Sequence, residues 1–321
     1  MILPRITDYD YGISTIDAQY HRPGLVAIHL IVEGDTAALV DTGTTFSVPG
    51  VIEVLRQKNI ATENVAYVFL THIHLDHAGG AGEFMQHLPN AKLVVHPRGA
   101  RHMADPTRLI AGATAVYGEA EFGRTYGKIC PVDTNRIIEA PDRFHIDLNG
   151  RSLLFLDTPG HARHHYCIFD EQSRSFFAGD TFGVSYREFD VNGMEFVFPT
   201  TTPVQFDPVA AHASLDRLMS YDPDYVFLTH YGRISHLPRH VGEMHNLIDA
   251  HVAIARKTRD HIPDRHAVLV EELGKLLLQR LTAHGCKLQQ EEIYSLLRMD
   301  IDLNALGLES WLEHEHPVAN G

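Results

Sequence analysis

Four residues that can bind a metal lie within six positions in the segment "THIHLDHAGG". They are His72, His74, Asp76 and His77. This spacing does not fit one face of a helix, but on a loop leaving a strand His72 and His74 can approach from one side and Asp76 and His77 from the other. Imidazole and carboxylate groups suit Zn²⁺, Fe or Mn²⁺. Because four ionisable groups at the end of a buried strand would be costly without a partner, the motif predicts a metal site.

A six-residue segment, "YVFLTH", occurs twice, at Tyr67–His72 and at Tyr225–His230. Each copy is a short apolar run without alternation, which is typical of a strand buried on both faces. Each copy also ends on a histidine. The repeat therefore indicates two halves of one fold that present His72 and His230 to a shared cleft.

The order His-x-His-x-Asp-His after a buried strand resembles the signature of the metallo-β-lactamase fold hydrolases. Four further motifs of that family have counterparts in the same order: "LVDTG" with Asp41, "TPGHARHH" with His161, "AGD" with Asp180 and the second "YVFLTH" with His230. The resemblance extends over about residues 24–232. It implies the family's fold, and it implies a dinuclear metal centre.

The resemblance also implies the ligands of two divalent metal ions. Zinc is the first expectation, with iron or manganese as alternatives. Seven side chains would hold the ions: His72, His74 and His161 for the first, Asp76, His77 and His230 for the second, and Asp180 shared by both. Asp76 would also be catalytic by orienting the attacking hydroxide, and Asp41 would support the metal-binding loops without binding metal. Two cations about 3.5–4 Å apart lower the pKa of a shared water, so that hydroxide forms near neutral pH.

The implied function is a hydrolase that attacks a small ester, lactone or thioester with this hydroxide. One position weakens a homoserine-lactone lactonase assignment, because Gly183 lies where those enzymes carry a tyrosine that assists the substrate. Two alternatives stay open: an iron-dependent oxidoreductase or dioxygenase of the same fold, and a signalling or binding protein that keeps its metal with little turnover. A fold of this kind does not by itself identify the substrate.

Other histidines need separate interpretation, because the chain has 23 of them. His164 and His165 follow His161 in a pattern found in a subset of the family, and either support of the centre or ordinary packing fits them. His96 ends a predicted strand and is expected to be satisfied locally. The histidines of the C-terminal region show no ligand spacing and are predicted to lie on the surface: His236, His240, His245, His251, His261, His266, His284, His314 and His316. The aromatic residues near the motifs could line a pocket or simply pack: Tyr166, Phe182, Tyr186 and Tyr231.

The elements that must position these residues alternate strands with helices up to about residue 230. We expect an α/β fold in which two mixed β-sheets pack face to face with helices outside, an αββα sandwich. Residues 1–235 would form this metal-binding domain. Residues 236–321 are nearly all helical by periodicity and would form a C-terminal appendage that acts as a lid or as a homodimer interface.

Composition limits the remaining possibilities. The formal net charge of −14 disfavours a nucleic-acid partner, which calls for a basic face. No apolar run approaches the roughly 18–20 residues of a membrane span, and no signal peptide is evident at the first residues, so a cytoplasmic protein with a small-molecule substrate and no membrane partner is the expectation. The widely spaced Cys130, Cys167 and Cys286 exclude a cysteine-rich zinc site.

Overall fold

The computed structural model describes residues 3–261 and 263–315. Within these residues the first sheet has seven strands, and their spatial order follows the chain. The strands are β1 Ile6–Asp8, β2 Ile13–Asp17, β3 Ala27–Glu33, β4 Thr36–Val40, β5 Val65–Phe69, β6 Lys92–Val95 and β7 Ile137–Glu139. The first four strands pair antiparallel, and β4 to β7 pair parallel. The sheet is therefore mixed, as predicted.

The second sheet has six strands in the same described part of the chain, in the order β13-β12-β11-β10-β9-β8. The strands are β8 Phe144–Leu148, β9 Arg151–Asp157, β10 Tyr166–Asp170, β11 Ser175–Gly179, β12 Tyr225–Leu228 and β13 Gly232–Ile234. Strands β8 to β11 pair antiparallel, and β11 pairs parallel with β12. The two copies of "YVFLTH" therefore contribute β5 to one sheet and β12 to the other.

One hydrophobic core joins the two sheets. Phe69 of β5 packs edge-on against Phe155 of β9, with ring centroids 5.2 Å apart, and both are fully buried. Further side chains of both sheets belong to the same buried cluster. The predicted face-to-face sandwich is confirmed. One detail of the prediction is wrong, because Ala66 and Tyr67 of β5 are only half-buried.

Helices flank the sheets, and several short ones follow the strands. They are α1 Val48–Gln57, α2 Leu75–Ala78, α3 Ala81–His87, α4 Pro97–Ala104, α5 Thr107–Tyr117 and α6 Glu119–Tyr126. Helix α1 begins with a proline in its first turn, where the missing N–H costs nothing, and it buries the apolar face formed by Val51, Val54 and Leu55. Single 3₁₀ turns occur at Thr45–Ser47, Thr62–Asn64, Thr134–Arg136 and Arg187–Phe189.

Four longer helices follow within the described residues: α7 Pro208–Met219, α8 Leu237–Lys257, α9 Arg265–His284 and α10 Gln290–Glu315. Helix α9 ends at Gly285, which adopts the left-handed conformation that suits a glycine after a helix. Its buried side chains recur with helical spacing, from Leu269 through Leu273 and Leu277 to Leu281. The predicted helical C-terminal segment is confirmed. Among the described residues, no helix is both long enough and apolar enough to span a membrane.

Contacts between Cα atoms divide the chain into two units. The first unit contains the residues up to Asp157 together with His164–Gly179 and Asp222–Arg233, and the second contains Thr158–Arg163, Asp180–Tyr221 and the chain from Ile234 onward. This division differs from two consecutive domains that meet after residue 235, because two loops between strands of the second sheet pack with the helices. Ser214 of α7, for example, donates a 2.6 Å hydrogen bond to the carbonyl of Pro159. The functional division into a metal-binding domain and a lid or interface stays a prediction.

Candidate metal centre

The segment after β5 carries the predicted ligand cluster on a loop and a short helix. His72 and His74 lie on the loop, and the Nε2 atom of His72 is 2.9 Å from the Nδ1 atom of His74. Asp76 and His77 belong to helix α2. The expectation that all four side chains leave from a loop is therefore wrong for the last two. His74 is the residue before the helix and has an extended backbone, so the chain turns into α2 directly after it.

The buried carboxylate of Asp41 holds the ends of both repeated strands. Its Oδ1 atom accepts the backbone N–H of Thr71 at 2.8 Å, and its Oδ2 atom accepts the hydroxyl of Thr71 at 2.9 Å and the hydroxyl of Thr229 at 2.7 Å. These threonines precede His72 and His230 in the two copies of "YVFLTH". The repeated Thr-His pair thus has a physical reason, since each threonine ties its strand end to one carboxylate.

Asp76, His77 and His230 form one group in the first unit, with one potential ligand atom of each within 4.8 Å of the others. The Oδ2 atom of Asp76 lies 3.3 Å from Nε2 of His230 and 3.7 Å from Nε2 of His77. The Nδ1 atom of His77 donates to Asp41 at 2.8 Å, and that of His230 donates to the carbonyl of Leu25 at 2.9 Å. Both rings are therefore fixed in the tautomer whose Nε2 lone pair faces Asp76, which is how histidine ligands are usually oriented. The donor set suits a divalent transition metal.

The other two predicted ligands meet in the second unit. The Nε2 atom of His161 lies 3.4 Å from the Oδ2 atom of Asp180. The opposite ring nitrogen of His161, Nδ1, faces the carbonyl of Thr200 at 3.3 Å, so this histidine is supported in the same manner as His77 and His230. The structure thus groups Asp76 with His77 and His230, and pairs His161 with Asp180. The assignment of all seven side chains to two ions stays a prediction.

The histidines after His161 contact the predicted ligands of the first unit. His165 is fully buried, and its ring stacks on that of His72 with centroids 4.9 Å apart. His164 is half-buried, and its ring lies nearly parallel to that of His72 at a centroid distance of 6.2 Å. The stacked ring of His165 therefore helps to orient His72. His96, by contrast, pairs with Asp157 at 3.1 Å and accepts the backbone N–H of Arg98, as expected for a locally satisfied residue.

Three of the aromatic residues near the motifs are core residues. Tyr166 is buried, and its hydroxyl donates to the carbonyl of Val94 at 2.8 Å. Burial and the charge of Asp41 raise the pKa of Tyr166 well above its usual value, so the phenol stays protonated. Phe182 and Tyr186 are fully buried in the second unit. For these residues the packing interpretation holds.

The sequence interpretation missed a cluster formed by Glu195, His236 and His240 in the second unit. His240 and His251 were predicted to lie on the surface, but they are buried. The prediction is wrong for a reason visible in the sequence, because His240, Met244, Leu247 and His251 share one face of α8 at helical spacing. Burial lowers the pKa of His251 to about 4. His316 lies outside the described residues.

Comparison with known proteins places this site in a family context. A family model described as the metallo-beta-lactamase superfamily matches residues 21–230, which contain all seven predicted ligands. A curated relative, the metallo-beta-lactamase fold-containing protein ST1585 of Sulfurisphaera tokodaii, is 27% identical over 217 residues, which is 66% of this chain and 75% of the relative. The crystal structure of ST1585 has a TM-score of 0.63 at 24% identity and covers 94% of this chain and 99% of that chain, which shows a shared fold.

Two other relatives are named as thioesterases. The thioesterase pkgB of Emericella nidulans is 26% identical over 185 residues, which is 56% of this chain and 44% of the relative. The acyl-coenzyme A thioesterase MBLAC2 of Homo sapiens is 25% identical over 189 residues, which is 53% of this chain and 63% of the relative. The alignments span less than two thirds of the length of either thioesterase.

Proposed function

Because the chain belongs to the metallo-beta-lactamase superfamily, we propose that it is a dinuclear metal-dependent hydrolase of a small ester, lactone or thioester. The observation that carries the proposal is the group formed by Asp76, His77 and His230. Two imidazoles with fixed tautomers direct their Nε2 atoms toward one carboxylate. Such preorganised donors are expected of a metal site and are costly without one.

The seven predicted ligands would hold two divalent ions, with zinc as the first candidate. When bound, the ions lower the pKa of water and polarise the carbonyl of the substrate. In this proposal Asp76 orients the attacking water and accepts its proton. The water oxygen then bonds to the acyl carbon, the bond to the leaving group breaks, and the released thiol or alcohol takes up a proton. Asp41 contributes by holding His77 and the two threonines at the ends of β5 and β12.

Thioesters are the first substrates to test, because two relatives are named as thioesterases. The metal-loaded protein would be assayed for thiol release from acyl-coenzyme A thioesters of increasing acyl length, and in parallel on aryl esters and lactones. Metal content would be measured on the same preparation. We expect two bound divalent ions and turnover in at least one panel. Stoichiometric iron with turnover that requires oxygen, and none on these panels, would instead favour the oxidoreductase alternative.

Asp76→Asn tests the proposed role of the carboxylate. The amide keeps the size of the side chain but cannot accept the proton, so kcat is expected to fall by roughly 10²–10⁴-fold. Asp35→Asn is the matched control, because this exposed aspartate lies in the turn between β3 and β4, away from the predicted ligands in the sequence. An unchanged kcat of the Asp76→Asn variant would show that Asp76 does not have the proposed catalytic role.

A further inference from the structure

A second group of side chains that could bind a metal ion lies within the second unit and shares no residue with the proposed dinuclear centre. It consists of Glu195, His236 and His240, and one ligand atom of each lies within 4.8 Å of the other two. Glu195 directly follows the turn closed by the bridge between Val191 and Met194. His236 immediately precedes α8, and His240 lies four positions later on that helix. Two histidines four residues apart at a helix terminus can direct their imidazoles to one point.

The carboxylate of Glu195 is held by one oxygen and offers the other to both imidazoles. Its Oε1 atom accepts the backbone N–H of Ser235 at 2.9 Å and the hydroxyl of Ser235 at 3.0 Å. Its Oε2 atom lies 3.2 Å from Nε2 of His240 and 3.3 Å from Nδ1 of His236. Ser235 thus fixes the orientation of the carboxylate, and the second carboxylate oxygen faces the two histidines. The Nδ1 atom of His236 also lies 2.9 Å from the hydroxyl of Ser235.

The two carboxylate-to-imidazole distances match edges of a tetrahedral site. Ligands about 2.0–2.1 Å from a zinc ion in tetrahedral geometry lie about 3.3 Å from one another. The predicted ligand pairs of the family motifs allow a comparison within this chain, because the carboxylate-to-imidazole distance is 3.3 Å for Asp76 and His230, 3.4 Å for Asp180 and His161, and 3.7 Å for Asp76 and His77. The two distances at Glu195, 3.2 and 3.3 Å, lie at the short end of this range.

Two of the three proposed ligands are buried, and the third is partly exposed to solvent. Glu195 and His240 are buried, whereas the side chain of His236 is about half exposed. His236 also has a φ of 55°, in the left-handed region that histidine adopts more often than most residues other than glycine. Its exposure leaves an entry path and room for a water ligand.

We propose that Glu195, His236 and His240 bind a divalent transition-metal ion that joins the segment of Glu195 to the start of α8. Two imidazoles and one carboxylate with an open position form a donor set that such ions prefer. The same segment contacts the end of α9, where Nε2 of His284 donates to the carbonyl of Met194 at 3.2 Å. A bound ion would therefore stabilise the contacts among the Glu195 segment, α8 and α9.

The alternative is that no metal binds and that the two imidazoles only form hydrogen bonds to the carboxylate. Metal stoichiometry separates the two cases. Wild type, His236→Gly and His261→Ala would each be equilibrated with excess Zn²⁺, freed of unbound metal by gel filtration and analysed for zinc per chain. Glycine accepts the left-handed backbone at position 236, and His261 is an exposed histidine outside the group.

We expect wild type and His261→Ala to retain one more zinc ion per chain than His236→Gly. Excess Zn²⁺ should also raise the Tm of wild type and of His261→Ala more than that of His236→Gly, because binding to the folded state stabilises it. Equal zinc content in all three proteins would overturn the proposal and leave the hydrogen-bonded interpretation. Zinc lost equally from both variants would also overturn it, since that pattern indicates nonspecific surface binding.

Glu195→Gln provides a second variant, because glutamine can still accept the hydrogen bonds of Ser235 but has no charge. It should lose the same zinc ion as His236→Gly. If Glu195→Gln does not fold, His236→Gly still decides the question, because the side chain removed there is half exposed. A folded Glu195→Gln that keeps the full zinc content would contradict the proposed ligand set.

Discussion

At the scale of single residues, Asp41 links both repeated strand ends to one predicted ligand. Its two oxygens accept hydrogen bonds from Thr71, His77 and Thr229, and all four residues are buried. Partners of this kind usually matter for metal affinity nearly as much as the ligands themselves. Asp41 fixes the tautomer of His77 and the position of both strand ends at once.

Asp41→Asn should therefore weaken metal binding without removing a ligand. An asparagine has one acceptor oxygen in place of two, and its amide must face at least one donor, so we expect the affinity for zinc to fall about 10–100-fold. Competition with a chromophoric chelator measures this change. Asp35→Asn serves as the control, and equal affinities of the two variants would show that Asp41 does not orient the ligands.

Most residues of the predicted centre can be recognised from local motifs, whereas the contacts between distant positions cannot. His72, His74, Asp76 and His77 are visible because they lie together in the sequence. The link from Asp41 to Thr229 joins residues 188 positions apart, and no local pattern records it. The group of Glu195, His236 and His240 was missed for the same reason. In addition, histidine is polar, so the helical spacing of the histidines on α8 does not by itself predict their burial.

At the scale of elements, helix α10 supports one predicted ligand through an extended segment. Asn304 accepts the backbone N–H of Thr201 at 2.6 Å and donates to the carbonyl of Pro199 at 3.1 Å. The carbonyl of Thr200, between them, faces Nδ1 of His161. The C-terminal helix thus holds the chain that orients His161, so it contributes to the site in addition to any role as a lid or interface.

Gly307→Ala tests how closely α10 must approach this segment. A Cβ at position 307 would lie 1.5 Å from the carbonyl oxygen of Thr201, so the helix would have to shift. We expect a loss of at least about 3 kcal/mol in the free energy of unfolding, measured by urea denaturation. Gly242→Ala is the control on α8, where a Cβ meets nothing within 4 Å, and it should stabilise the protein by about 0.5–1 kcal/mol. Similar effects of the two substitutions would contradict the close approach.

His251 on α8 predicts a sensitivity to acid. Burial lowers its pKa from 6.5 to about 4, so the folded protein keeps the imidazole neutral where the unfolded chain binds a proton. The stability is fully present above pH 6.5 and falls as the pH drops toward 4, by on the order of 2 kcal/mol at pH 5.

His251→Gln removes this titrating group. The loss of stability between pH 7 and pH 5 should therefore be smaller in the variant than in wild type, as measured by urea unfolding at each pH. His87→Gln, at an exposed position on α3, is the control and should keep the pH dependence of wild type. A pH dependence unchanged by His251→Gln would show that this imidazole is not held neutral by the fold.

At the scale of the whole molecule, the family and the sandwich could be predicted. The alternation of strands with helices indicates the sandwich, and five ordered motifs indicate the family. The grouping of the loops around His161 and Asp180 with the second unit could not be predicted, because it depends on where these loops pack. Ser214 and Pro159 are 55 positions apart, yet their hydrogen bond helps to place one of these loops with the helices. A homodimer formed through the C-terminal helices and the zinc content both stay predictions.

Removal of metal should lower the stability of the molecule. If bound ions bind the folded state only, their loss removes a stabilisation of about 2.7 kcal/mol for metal at one hundred times its dissociation constant. A chelator-treated sample should therefore unfold at a lower temperature, and Zn²⁺ should restore the original Tm. The same Tm with and without metal would show that the centre is not coupled to folding.

The contact of Asp41 with Thr229 also limits how early in folding the predicted metal site can be complete. Because the two residues are 188 positions apart, the carboxylate cannot hold both strand ends until most of the chain has been synthesised and β12 has joined the second sheet. Contacts of such long range form slowly, since a large loop must close first. The group of Asp76, His77 and His230 therefore exists only in a nearly finished molecule. The complete group should therefore form only at the end of folding, whereas His72, His74, Asp76 and His77 lie together in the sequence from early in synthesis.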